Sequence, residues 1–273
     1  MPDLKELTRM SQELRIKILQ MNHKAGSGHT GGSFSCAEIV TVLYEKILNL
    51  KPEEPGWPER DRFVLSKGHA APGLYATLIR KGFCAEDLAD NLRCCGSPFQ
   101  GHPCMHMLPG VDMSTGSLGM GLSVGLGMAL SAKQKGESWR VFVLCGDGEL
   151  QEGQNWEAMM AMAKWKPDNM TMIVDYNQVQ LDGTLEEVMP LGDLEAKIRS
   201  FGIKTYICDG HNTGELVAAL EQSTAENGPA AIIANTVKGK GVSFMEGQSS
   251  WHGKPIDDDS FTKALAELEA ELI

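Results

Sequence analysis

Two polar residues in the middle of the chain are spaced to bind a metal ion and an anion together. Asp147 lies between two glycines directly after the apolar run 140–145, and Asn177 follows a second apolar run, 170–175. If these runs are neighbouring parallel strands, their carboxyl ends share one edge of a sheet and the two side chains converge. Carboxylate and amide oxygens suit Mg²⁺ or Ca²⁺, and Mg²⁺ commonly takes phosphate oxygens as further ligands. Gly148 would let a main-chain N–H approach such a phosphate, and a helix beginning near Gln151 would add a favourable dipole.

The tripeptide at 146–148 is, by itself, also an ordinary turn sequence, because Asp and Gly are common turn residues. The second polar residue at the equivalent point after the next apolar run favours a metal–diphosphate site over a simple turn. The GxxxxGK[ST] loop that a nucleotide-binding protein of the P-loop type requires does not occur in the sequence.

An alternation of apolar runs and helix-like segments surrounds these residues. Strand-like runs lie at 61–66, 140–145, 170–175, 204–208 and 230–235, and helix-like segments lie at 1–19, 37–48, 72–81, 151–165, 194–200, 213–225 and 258–272. Parallel strands joined by helical crossovers need helices on both faces of the sheet. The sequence therefore predicts an α/β fold of three layers, with a mostly parallel sheet, in a single domain.

Composition narrows the classes of protein further. The chain has 273 residues, of which 42% are apolar, and a formal net charge of −11, which argues against nucleic acid as a partner. Apolar runs of 18 residues are absent, so no membrane-spanning segment is expected. Seven cysteines without a CxxC pair, and an amino terminus unlike a signal peptide, indicate a reducing compartment and a cytoplasmic location.

The segment Ser114–Gln134 has the length of a helix but carries glycines at 116, 119, 121, 125 and 127. Each glycine in a helix costs about 1 kcal/mol relative to alanine, so five of them need a reason. One interpretation is that the backbone closely approaches a ligand or another helix, and the other is tight helix packing alone.

The sequence from Gly146 to Gly183 resembles the thiamine-diphosphate signature, in which GDG is followed about thirty positions later by Asn. More narrowly, the chain resembles transketolase. The matching segments are SGHTGGS at 27–33, DRFVLSKGHA at 61–70, QGHPCMHMLPGVDMSTGSLGMG at 100–121 and SSWHGKP at 249–255. The resemblance thus extends over nearly the whole chain, and it implies the thiamine-diphosphate-binding fold. It also gives the glycine-rich segment a reason, since its start would lie against the cofactor.

The resemblance implies a role for each matching residue. Three oxygen donors would hold a divalent ion, Mg²⁺ or Ca²⁺, on the diphosphate of thiamine diphosphate: Asp147, Asn177 and the carbonyl of Val179. Three residues would contact the diphosphate: His69, Gly148 and His252. Three would border the aminopyrimidine ring: Gly116, Ser117 and Leu118. Three histidines would face the substrate: His29, His102 and His252. Imidazole suits such a site because its pKa lies near neutrality.

Other polar residues leave alternatives open. Glu152 matches a family glutamate at the subunit interface between two cofactors, although an acidic residue in a first helical turn is also favourable in any helix. Three further histidines, at 23, 106 and 211, are expected to be surface or satisfied core residues. Two histidines lie in a set that raises a zinc alternative, but the set fits no common structural-zinc spacing. Its members are Cys94, Cys95, His102, Cys104 and His106.

The function implied by the resemblance is transfer of a two-carbon ketol unit from a ketose phosphate to an aldose phosphate. Residues 1–273 match only the diphosphate-binding domain of that family, and no trace of its pyrimidine-binding and C-terminal domains follows. We therefore expect the amino-terminal subunit of a split transketolase, active only with a partner chain that carries the pyrimidine-binding domain, in an α2β2 assembly. A truncated piece of a longer chain is the alternative architecture.

Two alternative functions are considered. In the first, the chain is half of another thiamine-diphosphate enzyme, such as one like 1-deoxyxylulose-phosphate synthase. In the second, it is a non-catalytic regulatory paralogue. The segments SKGHA and WHGKP favour transketolase over the first alternative. Intact Asp147, Asn177 and the four histidines within the matching segments argue against the second.

Overall fold

Short apolar runs of the chain form one parallel sheet. In a computed structural model, which describes residues 1–272, the strands are β1 (Arg62–Leu65), β2 (Val141–Gly146), β3 (Met170–Tyr176), β4 (Lys204–Asp209) and β5 (Ala230–Asn235). Their order across the described sheet is β1-β2-β3-β5-β4, and each neighbouring pair is parallel. The predicted strands are therefore all confirmed, and β2 and β3 are neighbours as the site requires.

Helices connect and cover the strands. They are α1 (Leu4–Lys24), α2 (Thr30–Ser35), α3 (Ala37–Val42), α4 (Ala71–Lys81), α5 (Met120–Lys135), α6 (Gly153–Trp165), α7 (Leu185–Val188), α8 (Leu194–Ser200), α9 (Thr213–Thr224) and α10 (Asp258–Ala270). The short helices α2 and α7 were not predicted, and α3 continues as a π-helical turn over Leu43–Ile47. None of the helices within residues 1–272 combines the length and the apolar composition that crossing a membrane requires.

Two hydrophobic cores, one on each face of the sheet, hold the layers together. Phe142 and Leu144 of β2 point into the core formed with α1, α3, α4 and α9. Val141 and Val143, which alternate with them, point into the core formed with α5, α6 and α8. This alternation is the period of two that a strand buried on both faces requires. The three-layer α/β fold with helices on both faces is confirmed.

The glycine-rich segment is only partly helical, because α5 begins at Met120 and Gly119, at φ 86°, forms its N-cap. A Cβ atom on Gly121 would overlap Ser66, and one on Gly125 would overlap the side chain of Val143 in β2. By contrast, a Cβ on Gly127 would meet no described atom within 4 Å. Close packing of α5 on the sheet therefore explains Gly121 and Gly125, which agrees with the packing interpretation for these two glycines.

Candidate active site

The loops that follow β2 and β3 meet at the carboxyl edge of the sheet. Gly146 lies opposite Asp175 in the register, so the next residues of both strands leave the sheet side by side. The main-chain N–H of Gln178 donates to the carboxylate of Asp147, and the N–H of Gly148 donates to the same carboxylate over 2.7 Å. The prediction that the residues after the two strands converge is therefore confirmed.

The polar groups in this corner are oxygen donors. The side-chain oxygen of Asn177 accepts from the N–H of Val179 over 3.1 Å, and the carbonyl of Val179 accepts from the Lys238 ammonium over 3.0 Å. Asp147 is buried, and burial together with the neighbouring Asp175 raises its pKa to about 6. A cation beside Asp147 would stabilise this buried carboxylate, and carboxylate, amide and carbonyl oxygens are the donors that Mg²⁺ and Ca²⁺ prefer. The donor set therefore fits a divalent ion.

A cavity of about 260 Å³ opens above these donors. It is lined by Asp147, Gly148, Asn177, Val179, His69, His252, Leu118, Lys67 and Lys238, together with Gly146, Glu149 and the loop 180–182. A larger groove of about 430 Å³ lies elsewhere, beside Trp156 and Met189, and among its described lining residues Lys197 alone is charged. The smaller cavity is the better candidate because it joins charged, titratable and oxygen-donor groups at the ends of neighbouring strands.

The four histidines from the matching segments form one cluster. The rings of His69 and His252 are stacked with centroids 4.8 Å apart. The ring of His29 lies 5.6 Å from each of these two rings and 6.5 Å from that of His102. A Cβ on Gly116 would come within 2.9 Å of the His102 ring, so the segment before α5 packs directly on the cluster. Segments from four parts of the chain thus converge beside the cavity.

His29 is held in one tautomer. Its Nδ1 lies 2.5 Å from a guanidinium nitrogen of Arg93, and since guanidinium only donates, Nδ1 accepts and the proton resides on Nε2. Burial lowers the pKa of His29 to about 4, with Arg93, His102 and Lys238 adding to the effect. His29 is therefore a neutral imidazole that can donate a hydrogen bond from Nε2.

The other histidines of the cluster are also kept neutral. Burial, followed by the charge of Lys238, lowers the pKa of His252 to about 3, and burial lowers the pKa of His69 well below its ordinary value. Burial and then Arg93 lower the pKa of His102. The Nδ1 atom of His252 is buried and has no hydrogen-bond partner among residues 1–272. An unsatisfied buried nitrogen is costly, so a polar ligand at this point would stabilise the site.

Two buried lysines were missed by the sequence analysis. The Lys67 ammonium pairs with the Asp175 carboxylate and donates to the carbonyl of Gly32 over 2.8 Å. Burial opposes the charge of Lys67, but Asp175 outweighs it and raises the pKa. For Lys238, burial and the nearby Lys67 lower the pKa to about 8. Lys67 lies in the SKGHA segment directly after β1, so its position at a strand end was the signal that could have identified it.

The sequence analysis also missed Arg93, which the structure distinguishes by its unusual backbone conformation. Within residues 1–272, four non-glycine residues have positive φ, and three of them lie at this site: His29 at 73°, Arg93 at 60° and Gln178 at 61°. This region of φ is unfavourable for residues with a Cβ, and such residues cluster at functional sites. Their conformations depend on tertiary packing, which leaves no pattern in the sequence.

Some predicted residues lie outside the cavity. Glu152 is exposed at the N-cap of α6, beside Gly119, and Ser117 is exposed in the segment before α5. Residues Gly148–Gln151 form a 3-10 turn, so the expected helix is present as α6 but starts at Gly153, two residues after Gln151. Within residues 1–272, no three His, Cys, Asp or Glu side chains are grouped to hold a metal, so the zinc alternative gains no support.

The remaining histidines differ in their surroundings. His23 lies 2.8 Å from Asp258 and stacks on Phe261, and His106 is exposed. His211 is mostly buried and bonded through both ring nitrogens. His23 and His211 are thus satisfied residues and His106 a surface residue, as the sequence analysis expected.

The fold and the site together define a class of protein. Oxygen donors and a cavity lined by charged residues and histidines, at the ends of two neighbouring parallel strands, fit a thiamine diphosphate-binding domain. A family model described as "Transketolase, thiamine diphosphate binding domain" matches residues 7–270. The chain belongs to the transketolase family.

Individual relatives agree with this assignment. The chain is 42% identical over 267 residues to the 6-deoxy-6-sulfo-D-fructose transketolase subunit SqwG of Clostridium sp. (strain MSTE9), with 97% of each chain covered. It is 40% identical over 267 residues to an apulose-4-phosphate transketolase subunit of Actinobacillus succinogenes, again with 97% of each covered. The crystal structure of transketolase from Campylobacter jejuni superposes with a TM-score of 0.92 at 32% identity, covering 98% of this chain and 43% of that one.

Proposed function

We propose that the chain is the thiamine-diphosphate-binding subunit of a split transketolase, which transfers a two-carbon ketol unit from a ketose to an aldose. The main observation in support is how much of each relative's length the chain covers. The chain covers 97% of two relatives that are named as transketolase subunits, but 43% of the C. jejuni transketolase. A partner chain would then supply the rest of the enzyme, and the pyrimidine-binding domain in particular.

The residues of the cavity suit the charged end of the cofactor. Asp147, Asn177 and the Val179 carbonyl would hold Mg²⁺, and Ca²⁺ would suit the same oxygens. The diphosphate would lie against the N–H of Gly148 and beside four side chains that line the cavity: Lys67, Lys238, His69 and His252. Residues Gly116, Ser117 and Leu118 would border the aminopyrimidine ring. Thiamine diphosphate, when bound, supplies the nucleophilic carbon that carries the ketol unit.

Neutral histidines would serve the substrate. His29 would donate from Nε2 to a sugar hydroxyl or to a developing alkoxide, and Arg93 would keep it in that tautomer. His102 and His252 would line the same approach, since their rings flank that of His29. The names of the two subunit relatives contain a sulfonated and a phosphorylated sugar, which supports sugar phosphates or similar anionic sugars as the substrate class.

Exposed apolar side chains support an assembly. Along α5, α6 and the segment before α5, the exposed apolar residues are Leu118, Met120, Met160 and Trp165. Glu152 is also exposed, next to Gly119. We propose that these exposed residues pack against other subunits in an α2β2 heterotetramer with twofold symmetry. The seven cysteines are free thiols, which supports the cytoplasm as the compartment.

The test is an assay of the purified chain with and without a pyrimidine-domain transketolase chain encoded beside it. Thiamine diphosphate and Mg²⁺ are added, and ketol transfer is measured with xylulose 5-phosphate and ribose 5-phosphate, then with sulfonated and other phosphorylated ketoses. Activity that requires the second chain supports the proposal. Robust activity of the lone chain would refute the split-enzyme assignment. Cofactor binding without transfer in any mixture would instead indicate a regulatory paralogue.

A further inference from the structure

His211 joins the protein core to the loop that carries Lys238. The residue lies between β4 and α9, and its side chain is 13% exposed. Its Nδ1 lies 3.0 Å from a carboxylate oxygen of Glu38 in α3, and its Nε2 lies 2.8 Å from the main-chain nitrogen of Val237. The imidazole therefore bridges a buried carboxylate and the residue that precedes Lys238.

The two hydrogen bonds fix the tautomer of the ring. The N–H of Val237 can only donate, so Nε2 accepts, and Nδ1 carries the proton that is donated to Glu38. Arg15 of α1 holds Glu38 from the other side with two hydrogen bonds, of 2.7 and 2.6 Å. The ring is thus oriented by an ion pair that is anchored in two core helices.

Val237, whose N–H donates to His211, directly precedes Lys238, a lysine that lines the cavity. Lys238 reaches the Val179 carbonyl over 3.0 Å, in the loop that carries the proposed metal donors. The same turn is tied to α2 by the N–H of Gly239, which donates to the carbonyl of Gly31 over 3.0 Å. The position of the Lys238 ammonium therefore depends on how the main chain at 237–239 is held.

We propose that His211 is a positioning residue for the diphosphate site: by accepting the Val237 N–H, it holds the main chain so that Lys238 presents its ammonium to the diphosphate. The inference rests on the proposed function, because it concerns the diphosphate end of that site. His211 does not line the cavity and acts through Val237 and Lys238.

Two substitutions separate this role from a purely structural one. In His211→Asn the side-chain amide nitrogen takes the place of Nδ1, so the bond to Glu38 is kept and the acceptor for Val237 is lost. In His211→Gln the side-chain amide group reaches the place of Nε2, so its oxygen can accept from Val237 while the bond to Glu38 is lost. A structural role predicts that ligand affinity follows thermal stability, whereas the positioning role predicts that the two separate.

The experiment measures binding of thiamine diphosphate, and of inorganic pyrophosphate, to the full chain in Mg²⁺ by calorimetry, with a melting curve for each variant. We expect His211→Asn to bind both ligands about tenfold more weakly, a typical effect of losing an outer support of a ligand site. We expect His211→Gln to bind within about threefold of the wild type, although it melts at a lower temperature than His211→Asn. Equal affinities in His211→Asn and wild type, or losses that follow the melting temperatures, would overturn the inference.

A double-mutant cycle tests the route through Lys238. If His211 acts through that ammonium, then adding His211→Asn to Lys238→Met should change pyrophosphate affinity by less than about twofold, because coupled residues are non-additive. Additive losses would overturn the inference.

Hydrogen exchange of the Val237 amide is a further test. In the wild type this amide should exchange slowly, and more slowly still with Mg²⁺ and pyrophosphate. Fast exchange of this amide would also overturn the inference. No binding of either ligand by the wild type would instead overturn the diphosphate site itself, and the inference with it.

Discussion

The main-chain N–H of His29 donates to the carbonyl oxygen of His252 over 2.9 Å, and so joins two segments from opposite ends of the chain. Beside this bond the backbones are in close contact, because a Cβ on Gly28 would overlap the backbone of Gly253. The contact sets the spacing of the two imidazole rings, whose centroids lie 5.6 Å apart.

Gly28→Ala should therefore force the two segments apart. An added methyl against backbone atoms costs about 1–3 kcal/mol of stability, and misplacement of the rings should lower kcat at least tenfold, since errors of about 1 Å cost as much as 100-fold. Gly253→Ala is the matched control, because its Cβ would meet no described atom within 4 Å. Melting curves and ketol-transfer rates of the two variants with the partner chain would check this, and equal behaviour would contradict it.

Asp147→Asn should abolish retention of thiamine diphosphate while the chain stays folded. The change removes the charged member of the donor set, and loss of even an outer support of a metal costs about 10–100-fold in affinity. Asp182→Asn is the control, since Asp182 lines the same cavity but is exposed and outside the donor set. Calorimetric titration with Mg²⁺ present measures both. Unchanged cofactor affinity in Asp147→Asn would disprove the assignment.

His29→Ala should depress kcat much more than cofactor affinity. A neutral imidazole that moves or shares a proton contributes about 100-fold or more to a rate, whereas His29 is not among the residues that line the diphosphate cavity. His23→Ala serves as the control, because His23 pairs with Asp258 away from the cluster. The measurement is steady-state ketol transfer alongside thiamine diphosphate titration. Transfer at the wild-type rate in His29→Ala would contradict the substrate role.

Two glycines of α5 should respond to alanine with opposite signs. Gly125→Ala should destabilise the chain by about 1–3 kcal/mol, because its Cβ would overlap Val143 and crowd Met170. Gly127→Ala should stabilise it by up to about 1 kcal/mol, since the methyl has space and alanine favours the helix. Denaturant unfolding of the isolated chain measures both. A stabilising Gly125→Ala would mean that α5 does not pack on β2 as described.

Glu38 should make stability depend on pH in the acid range. Burial would raise its pKa, but Arg15 and His211 outweigh burial and lower it from 4.5 to about 2. A lowered carboxyl pKa contributes stability that is present above the unfolded value and is lost as the pH falls through the folded value. Glu38→Gln should therefore cost about 3–5 kcal/mol at neutral pH, since it leaves Arg15 buried without its partner. The difference from wild type should shrink between pH 4.5 and about 2.

Urea unfolding at a series of pH values checks this prediction. Glu221→Gln on the exposed surface of α9 should follow the wild-type curve throughout. A Glu38→Gln difference that stays constant down to about pH 2 would show that Glu38 is not an ion-paired carboxylate.

The sequence was sufficient to predict the strands of the sheet and the convergence of the oxygen donors that follow β2 and β3. Apolar runs bounded by short joints located every described strand, and because β2 and β3 are adjacent and parallel, Asp147 and Asn177 had to emerge together. The family segments further identified the histidines that the structure brings into one cluster. Each of these inferences depends on local patterns, which a sequence displays directly.

The features that the sequence analysis did not predict depend on tertiary packing. Helix α2 has six residues that include two glycines, so it shows no helical periodicity. Arg93 and Lys238 lie in loops. Their hydrogen-bond partners at the site, His29 and Val179, are far away in sequence. The start of α5 was misplaced because Gly119 has a positive φ and forms the N-cap, and the close approach of Glu152, where a Cβ on Gly119 would overlap, arises only in the folded chain.

The placement of β5 between β3 and β4 determines when the site can exist during synthesis. Until residue 235 is made, β3 lacks the neighbour whose next residue, Thr236, donates to the Asp175 carboxylate and to the carbonyl of Tyr176. A nascent chain that ends at α9 would therefore expose the edges of both β3 and β4 and leave the loop of Asn177 without its support. The last described strand to be translated completes the sheet, and Lys238 and His252, which follow it in the chain, then complete the lining of the cavity.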